Sequence, residues 1–341
     1  MLPVSFNGIE VDMLSLGDAD SILVSRWANG SVERVLIDGG AGTSVLVIRG
    51  FLSSIDVSYL DHVVVTHPHG DHADGVVELL RDPSLGVGKL WFHVPFFHVD
   101  IGAMLGALRA TCDLRYSAQV SACLERVEKL QKLADARGIP YEEPFAASTA
   151  GFLTVCGPSV GYYRETIAGL QDPDWIRQVN STGSAEDAFS SLLEVLASAG
   201  DSEALLTAPL TSPENNLSVV LAAVQDGNKF LFTGDAGAQG LLAATTAYDL
   251  RSPYWMQLPH HGSRRNITQA LIDYFCPRVA YVSAAGSLNH PRRALVNALK
   301  KLGAVVYSTH YPNGSHLRSI LGTVPPRAGY GPATQLWEAA A

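Results

Sequence analysis

Val63-Val64-Val65-Thr66-His67-Pro68-His69-Gly70-Asp71-His72 is the stretch that decides the fold. Its three valines predict a buried strand, and the proline and glycine that follow predict its end. Three histidines and an aspartate therefore crowd into one turn. Imidazole and carboxylate groups are the usual protein ligands of Zn²⁺ and similar ions. The spacing predicts that His67 and His69 face one ion and that Asp71 and His72 face a second. A polar loop with one helix-capping histidine is the less favoured alternative.

Two later predicted strands also end in metal-ligand side chains. The strand at 229–233 runs into Gly234 and Asp235, and the strand at 254–258 runs into His260 and His261. An aspartate at a strand end can bridge two ions, because its two oxygens can reach both. Three strand ends that carry such groups predict a shared metal site.

The composition describes a globular protein that can build a full core. The 341 residues are 47% hydrophobic and 17% charged, and we expect one domain over residues 1–341, although two domains would also fit. The net charge of −9 argues against non-specific binding of long nucleic acid through phosphate contacts. A local basic rim is still compatible with the sequence, because four arginines lie beside the candidate loops: Arg264, Arg265, Arg292 and Arg293.

The cysteine spacing and the first residues of the chain argue against several classes of protein. The four cysteines show no C-x-x-C pair, so neither a zinc knuckle nor a disulfide framework is indicated. The first residues lack a basic start and an apolar core, and no apolar run is long enough to span a bilayer. We therefore expect a cytoplasmic chain without a membrane partner.

Two helical elaborations are predicted beyond the strands. One covers about residues 100–137 and ends in an amphipathic helix at 120–137. The other is an insertion at about 162–213 that carries no catalytic constellation. It could serve as a lid, as a wall of the site or as a surface for a protein partner, and the residues do not choose between these.

The ordered motifs resemble those of the metallo-β-lactamase-fold hydrolases. Within that superfamily they most resemble the soluble hydrolase domain of ComEC-type DNA-uptake proteins and its stand-alone relatives. The similarity covers nearly the whole chain apart from the two helical elaborations, and it implies an α+β fold: an αββα sandwich with a helical insertion and with metals at one edge of the two sheets. The motifs are Asp38-Gly39-Gly40, the segment 66–72, Asn215-Asn216-Leu217-Ser218, Phe232-Thr233-Gly234-Asp235, Leu258-Pro259-His260-His261-Gly262-Ser263 and Asn289-His290-Pro291.

The resemblance implies a ligand set for two divalent ions, with Zn²⁺ expected and Mn²⁺ as the alternative. His67 and His69 would hold the first ion, Asp71 and His72 the second, Asp235 would bridge them, and His260 or His261 would complete the set. Many members have a further histidine where this chain has Asn215 and Asn216, and an amide oxygen is a weaker ligand than imidazole. Whether one or two ions bind is therefore open.

The implied reaction is hydrolysis by a metal-bound hydroxide. Asp71 would orient the hydroxide, and His261 or His290 would donate a proton or hydrogen bond to the leaving group. The resemblance favours a phosphodiesterase or nuclease that acts on a nucleic acid or nucleotide, and the acidic balance favours a small or single-stranded substrate. The residues predicted to bind substrate are Asn216, Ser263, Arg264 and His290.

Three other classes of function remain open. An esterase, a lactonase, a thioesterase or a phosphorylcholine-esterase-like hydrolase would share every ligand. A component of a multi-protein system, of the defence type for example, would need a partner for activity. A non-enzymatic binding module would keep the metal only to stabilise its fold. Of the remaining histidines, His310 and His316 are expected at the surface, and His62, His93 and His98 are expected to be packed or surface residues.

Overall fold

A computed structural model describes most of the chain: residues 6–111, 113–174, 176, 205, 211–287, 290–311, 316–327 and 335–336. In chain order its strands are β1 (Asn7–Leu14), β2 (Ile22–Ala28), β3 (Ser31–Ile37), β4 (Tyr59–Val64), β5 (Gly86–Trp91), β6 (Tyr141–Glu142), β7 (Thr149–Ala150), β8 (Leu153–Gly157), β9 (Val220–Gln225), β10 (Asn228–Phe232), β11 (Trp255–Gln257), β12 (Val279–Val282), β13 (Val305–Ser308) and β14 (His316–Thr323).

The α-helices of the described ranges are α1 (Val45–Ser54), α2 (Gly70–Leu80), α3 (Ile101–Ala110), α4 (Leu114–Arg137), α5 (Val160–Gly169), α6 (Pro213–Asn216), α7 (Ala238–Ala247), α8 (Gln269–Phe275) and α9 (Arg293–Lys301). Three single 3₁₀ turns accompany them at Gly42–Ser44, Pro95–Phe97 and His260–Gly262. None of the described helices combines the length and the apolar character needed to cross a bilayer.

The described strands form two seven-stranded mixed sheets. The first has the order β14-β1-β2-β3-β4-β5-β6 and the second the order β13-β12-β11-β10-β9-β8-β7. In the first sheet β3, β4, β5 and β6 run parallel, and in the second β10, β11, β12 and β13 do. The carboxyl ends of parallel strands lie at one edge of a sheet, which is where such folds place ligands.

The two sheets pack face to face over an apolar core. Side chains alternate between the faces of a strand, so β1 contributes every second residue to this core. Its centre is built from aromatic and aliphatic side chains with at most 1% exposure: Ile9, Val11, Met13, Phe230, Phe232 and Trp255.

Helices cover the outer face of each sheet. On the first sheet α1, α2 and α4 supply Leu52, Val76 and Leu130 to one apolar cluster. On the second sheet α7, α8 and α9 supply a separate cluster that includes Leu241, Ile272 and Leu295. The expected αββα sandwich is therefore confirmed, and it follows from strands that are apolar on both faces and so need a cover on both.

The structure describes the first of the two predicted helical elaborations and only the ends of the second. Helices α3 and α4 occupy the region predicted at about 100–137, and Asp113 caps α4 by accepting from the Tyr116 N–H. Most of the insertion predicted at 162–213, with its proposed helix around residues 189–196, lies outside the described residues.

The last strand was not predicted, and its first residue contradicts the expectation for His316. This side chain is 7% exposed rather than at the surface, and its Nε2 lies 3.2 Å from Asp12 Oδ1. The prediction was wrong because β14 pairs antiparallel with β1, more than 300 residues earlier. No local pattern reports a pairing over that distance.

Candidate metal centre

The candidate centre lies where three loops leave the carboxyl ends of β4, β10 and β11. Thr66 joins the loops of the two sheets, because its carbonyl accepts the Val219 N–H at 3.0 Å. Gly234 lies directly against the Thr66 side chain: it has a φ of +49°, and a Cβ there would come within 2.9 Å of Thr66 Oγ1. Only glycine fits this approach without strain, and the approach brings the Asp235 loop against the histidine loop.

The loops assemble two overlapping clusters of potential metal ligands. The first cluster consists of His67, His69 and Asp235. Each of them contributes one potential ligand atom, and these three atoms lie within 4.8 Å of one another. The second cluster is equally compact and contains Asp71, His72, Asp235 and His261. Asp235 belongs to both.

Asp235 is almost fully buried and faces a different histidine with each oxygen. Its Oδ1 lies 3.2 Å from His72 Nε2. Its Oδ2 lies 3.7 Å from His67 Nε2 and 3.6 Å from His260 Nε2. The carboxylate therefore stands between the two clusters.

The consecutive histidines after β11 point to opposite sides of this carboxylate. His260 approaches Asp235, while His261 Nε2 lies 3.4 Å from Asp71 Oδ2. Both residues have left-handed backbone, with φ of 48° and 54°. Such conformations are costly for residues other than glycine and are held only where the surroundings fix them. Here they place His261 in the second cluster and His260 beside the Asp235 oxygen that His67 faces.

Hydrogen bonds on the far side of His72 fix its orientation. Its Nδ1 lies 2.8 Å from Asp38 Oδ2, and the same carboxylate accepts from the Thr66 N–H and hydroxyl at 2.7 Å each. In the sequence, an aspartate followed by two glycines after the third predicted strand is compatible equally with an anchor for the histidine loop and with a simple turn. The structure shows the anchor. His72 Nε2 is thereby left to face Asp235.

Several buried polar atoms of the centre have no hydrogen-bond partner. They are His67 Nε2, His72 Nε2 and both carboxylate oxygens of Asp235. Buried polar groups are nearly always paired, so four such atoms that face one another have the arrangement of ligands for a cation rather than of a packing defect. Imidazole and carboxylate donors in this arrangement fit a divalent transition metal.

Charge and burial shift the pKa values of the cluster in opposite directions. Burial favours the neutral acid at Asp71, but the hydrogen bond from His261 and the charge of His72 hold its pKa below the ordinary range. Burial opposes the charged form of His261, yet Asp235 and Asp71 raise its pKa to about 9. Burial lowers the pKa of His67 well below the usual value. In this state Asp71 is charged and His67 is neutral, as a metal ligand must be.

Comparison with known proteins gives local sequence matches, and no family model matches the chain. Ribonuclease Z of Aeropyrum pernix is 34% identical over 85 residues, or 23% of this chain and 26% of that protein. The thioesterase pkgB of Emericella nidulans is 38% identical over 96 residues, or 27% and 26%. The lactamase-like protein nscB of Neosartorya fischeri is 42% identical over 57 residues, or 16% and 17%. The matched segments thus span about a quarter or less of these relatives.

Two solved structures resemble the chain loosely over most of its length. One is the metallo-β-lactamase fold protein YhfI from Bacillus subtilis, with a TM-score of 0.48, 10% identity, and 92% of this chain and 100% of that one covered. The other is a diphosphatase from the PhnP family, with a TM-score of 0.42, 11% identity, and coverage of 93% and 98%. Neither likeness bears on the reaction or the substrate.

The described residues form an αββα sandwich, the architecture that the resemblance to metallo-β-lactamase-fold hydrolases implied. The His/Asp clusters lie at the carboxyl ends of strands from both sheets, at the edge of the sandwich where that resemblance placed the metals.

The other residues predicted for the site lie around the clusters. The ring of His290 lies 5.6 Å from that of His260 and 5.7 Å from that of His261, centroid to centroid, and its Nδ1 is 3.5 Å from Asp18 Oδ2. Ser263 is buried, and its hydroxyl accepts from the Arg265 N–H.

The asparagine pair and Arg264 complete the predicted set. Asn215 Nδ2 lies 3.3 Å from His260 Nδ1, and both asparagines are buried with amide oxygens that lack a hydrogen-bond partner. Arg264 is half-buried beside Ser263. Asn289 of the Asn-His-Pro motif lies outside the described residues.

Three residues that support the centre were not found from the sequence. Asn266 holds His260, with Oδ1 2.9 Å from its Nδ1, and donates to the Asp235 carbonyl at 2.8 Å. Gln119 of α4 reaches His69, with Nε2 atoms 3.0 Å apart. Asp20 is buried, accepts from Gln257 at 2.8 Å, and lies 3.8 Å from His72 Nδ1. Only Asp20 had a local signal, its place in the Gly-Asp-Ala-Asp segment before β2.

Proposed function

We propose that this chain is a metal-dependent phosphodiesterase or nuclease that acts on a nucleic acid or nucleotide, similar to the soluble hydrolase domain of ComEC-type proteins. The observation that carries the proposal is the position of Asp235. Its two buried oxygens lack hydrogen-bond partners and face histidines of two separate clusters. A carboxylate placed in this way suits two cations that act on one substrate.

The residues divide between two ions of the same type, Zn²⁺ first and Mn²⁺ as the alternative. His67, His69, Asp235 and His260 would hold the first ion. Asp71, His72, Asp235 and His261 would hold the second. His260 then takes the place left by the asparagine pair. When bound, such ions supply Lewis acidity, which acidifies water and neutralises charge on a phosphate.

The chain's own side chains would orient water and substrate. Asp71 is the least buried carboxylate of the clusters, with 38% of its side chain exposed, and it would orient the attacking water. His290, paired with Asp18, would donate a hydrogen bond to the leaving group, with His261 as the alternative donor. Asn216, Ser263 and Arg264 would contact substrate, and a guanidinium suits a phosphate.

The choice of a phosphodiester rests on the sequence resemblance and on one local relative, whose name denotes a ribonuclease. A net charge of −9 favours a nucleotide or a short single strand over long duplex, since the electrostatic contribution to binding would be small. A thioesterase is the rival, because another local relative carries that name.

The test is a substrate panel run with the metal-loaded chain. We expect hydrolysis of bis(p-nitrophenyl) phosphate and of short single-stranded DNA or RNA, with less turnover of an acyl thioester. Asp235→Ala should abolish both metal binding and turnover, and His67→Ala should remove the first ion and abolish turnover. His62→Ala is the matched control, because His62 lies in β4 beside Trp91 and Glu33, outside the clusters.

Each adverse outcome leads to a different alternative. Preferred thioester or lactone turnover would replace the phosphodiesterase by another hydrolase of the same ligand set. Metal binding without turnover on any substrate would favour a partner-dependent component or a binding module. Full turnover by Asp235→Ala would end the metal-hydrolase proposal.

A further inference from the structure

A cavity of about 60 Å³ lies next to the metal-binding loop, among the segment that follows β5 and the helices α3, α4 and α5. Its walls are almost entirely apolar and include Met104, Val127 and Ile167, while His67 belongs to one wall. A cavity needs roughly 10–15 Å³ to admit one water, so this one has room for roughly four or five non-hydrogen atoms. It borders the first cluster through His67, and the other cluster residues do not line it.

Besides the cluster residue His67, the wall contains a second histidine without a hydrogen-bond partner. His93 is 8% exposed, and neither of its ring nitrogens has a hydrogen-bond partner. Its ring packs against Phe145 and Tyr163, with centroids 4.7 Å and 4.5 Å away. These two aromatic rings also contact each other, and they hold the imidazole in place without satisfying its nitrogens.

The nearest carboxylate does not provide that partner. Glu143 Oε1 is 4.0 Å from His93 Nδ1, too far for a hydrogen bond. The same carboxylate already accepts from the Val94 N–H at 2.8 Å and lies 2.9 Å from His98 Nε2. His93 therefore keeps a buried donor and a buried acceptor available to whatever enters the cavity.

The charge of the cavity restricts its ligand. Burial, with a smaller effect of His98, lowers the pKa of His93 to about 3, so the ring is neutral. Glu214, also in the wall, accepts from the Tyr116 hydroxyl at 3.2 Å and would repel an anion. An apolar wall, a neutral imidazole and one carboxylate suit an uncharged group.

We propose that this cavity is a binding site for a short aliphatic group that carries one hydroxyl or carbonyl oxygen, with the oxygen hydrogen-bonded to His93. Such a group could belong to the substrate or to a separate small ligand. If the group belongs to the substrate, the inference depends on the proposed function. The binding site itself is inferred from the geometry of His93 and the cavity, whichever molecule carries the group.

The direct test is binding of isopropanol to the metal-free chain, followed by the ¹⁵N NMR signals of the histidine rings. We expect a saturable shift of the His93 nitrogens. Val127→Leu adds a carbon to the wall and should weaken binding roughly tenfold, because overpacking of a filled site is costly. Val47→Leu, the same change on an exposed position of α1, should leave binding unchanged.

A second variant separates the hydrogen bond from the void. His93→Phe keeps an aromatic ring packed against Phe145 and Tyr163 but removes both nitrogens. Xenon, which enters dry apolar cavities, should still bind this variant, whereas isopropanol should bind much more weakly than to the wild-type chain. Equal isopropanol binding by His93→Phe, or no saturable His93 shift in the wild type, would overturn the proposal.

The source of the group is decided by inhibition. If it belongs to the substrate, isopropanol should compete with a phosphodiester substrate, and Val127→Leu should raise KM for substrates with a short alkyl arm. If it is a separate ligand, inhibition should be absent or non-competitive. A chain that binds isopropanol but hydrolyses nothing would reject the proposed function and retain this site.

Discussion

Asp38 Oδ2 lies 2.8 Å from His72 Nδ1, and neither side chain is exposed. The two residues are 34 positions apart in the chain, one at the end of β3 and the other in the first turn of α2. Asp38 also accepts from the Thr66 N–H, so a single carboxylate fixes both the histidine and the strand end that precedes it. Partners of this kind set the tautomer and the orientation of a metal-binding imidazole.

Asp38→Asn should weaken Zn²⁺ binding about 10- to 100-fold, the usual effect of losing the carboxylate behind a ligating histidine. An amide cannot stabilise the positive character of the ring and can present an N–H₂ group to it. Competition with a fluorescent chelator measures the change. Asp61→Asn is the control, because Asp61 accepts from the Arg34 N–H away from the centre. Unchanged affinity in Asp38→Asn would show that Asp38 serves only the strand end.

Removal of either member of the His260-His261 pair should cost one ion. His260 approaches the Asp235 oxygen that His67 faces, and His261 lies beside Asp71. Elemental analysis after dialysis should give two ions for the wild-type chain, one for His260→Ala, one for His261→Ala and none for Asp235→Ala. A single ion in the wild type would contradict the division into two sites.

Gln119→Leu should weaken metal binding through His69. The Gln119 side-chain amide lies 3.0 Å from His69 Nε2. With its oxygen turned toward the ring, the amide accepts the Nε2–H and leaves Nδ1 as the ring atom for an ion. We expect about a tenfold loss of affinity, a changed visible spectrum of the Co²⁺-loaded chain, and recovery in Gln119→Glu. Gln131→Leu, on the same helix near Tyr141, is the matched control. The same spectrum in both leucine variants would count against any role of Gln119 at the centre.

Two glycines inside helices should respond in opposite ways to alanine. A Cβ at Gly75 in α2 would lie 1.7 Å from the Gly39 carbonyl oxygen, whereas at Gly50 in α1 it would meet nothing within 4 Å. Gly75→Ala should lower the free energy of unfolding by about 1–3 kcal/mol or more, the cost of overpacking. Gly50→Ala should raise it by about 0.5–1 kcal/mol, because alanine favours helix. Urea unfolding of the metal-free chain measures both. A stabilised Gly75→Ala variant would show that α2 does not approach the Asp38-Gly39 turn this closely.

His93 should make the chain sensitive to acid. Its folded-state pKa of about 3 is below the unfolded value, so the unfolded chain binds the extra proton as the pH falls through 6.5. The neutral, buried His93 ring therefore contributes its whole stabilising effect above pH 6.5. Below that pH the free energy of unfolding decreases by about 1.4 kcal/mol for each pH unit, until the pH nears 3. Glu143, His98 and Tyr163 surround the ring, and only Glu143 opposes the effect.

His93→Phe is the variant that tests this effect. The free energy of unfolding should be measured with urea at pH 7 and at pH 4.5. Its decrease between these two pH values should be about 2–3 kcal/mol smaller in the variant than in the wild type. Identical losses would mean that His93 finds a proton acceptor in the folded chain.

The amino-acid sequence alone determined the strand ends that carry the chemistry. Apolar runs that end in proline or glycine are local signals, so 63–72, the Asp235 turn and the His260-His261 turn were all predicted in their correct places. The αββα sandwich was expected because the same motifs resemble those of metallo-β-lactamase-fold hydrolases. Asp38 was recognised as a candidate anchor, but its partner could not be named.

The tertiary structure decided which side chains meet. Asn266, Gln119 and β14 depend on contacts between segments that are far apart, and no periodicity or spacing encodes such contacts. The separation of His260 from His261 depends on two left-handed backbone residues, a conformation that histidine seldom adopts and that only the surrounding loops impose. Local free energies fix each strand and turn, whereas the packing of one sheet on the other fixes the site.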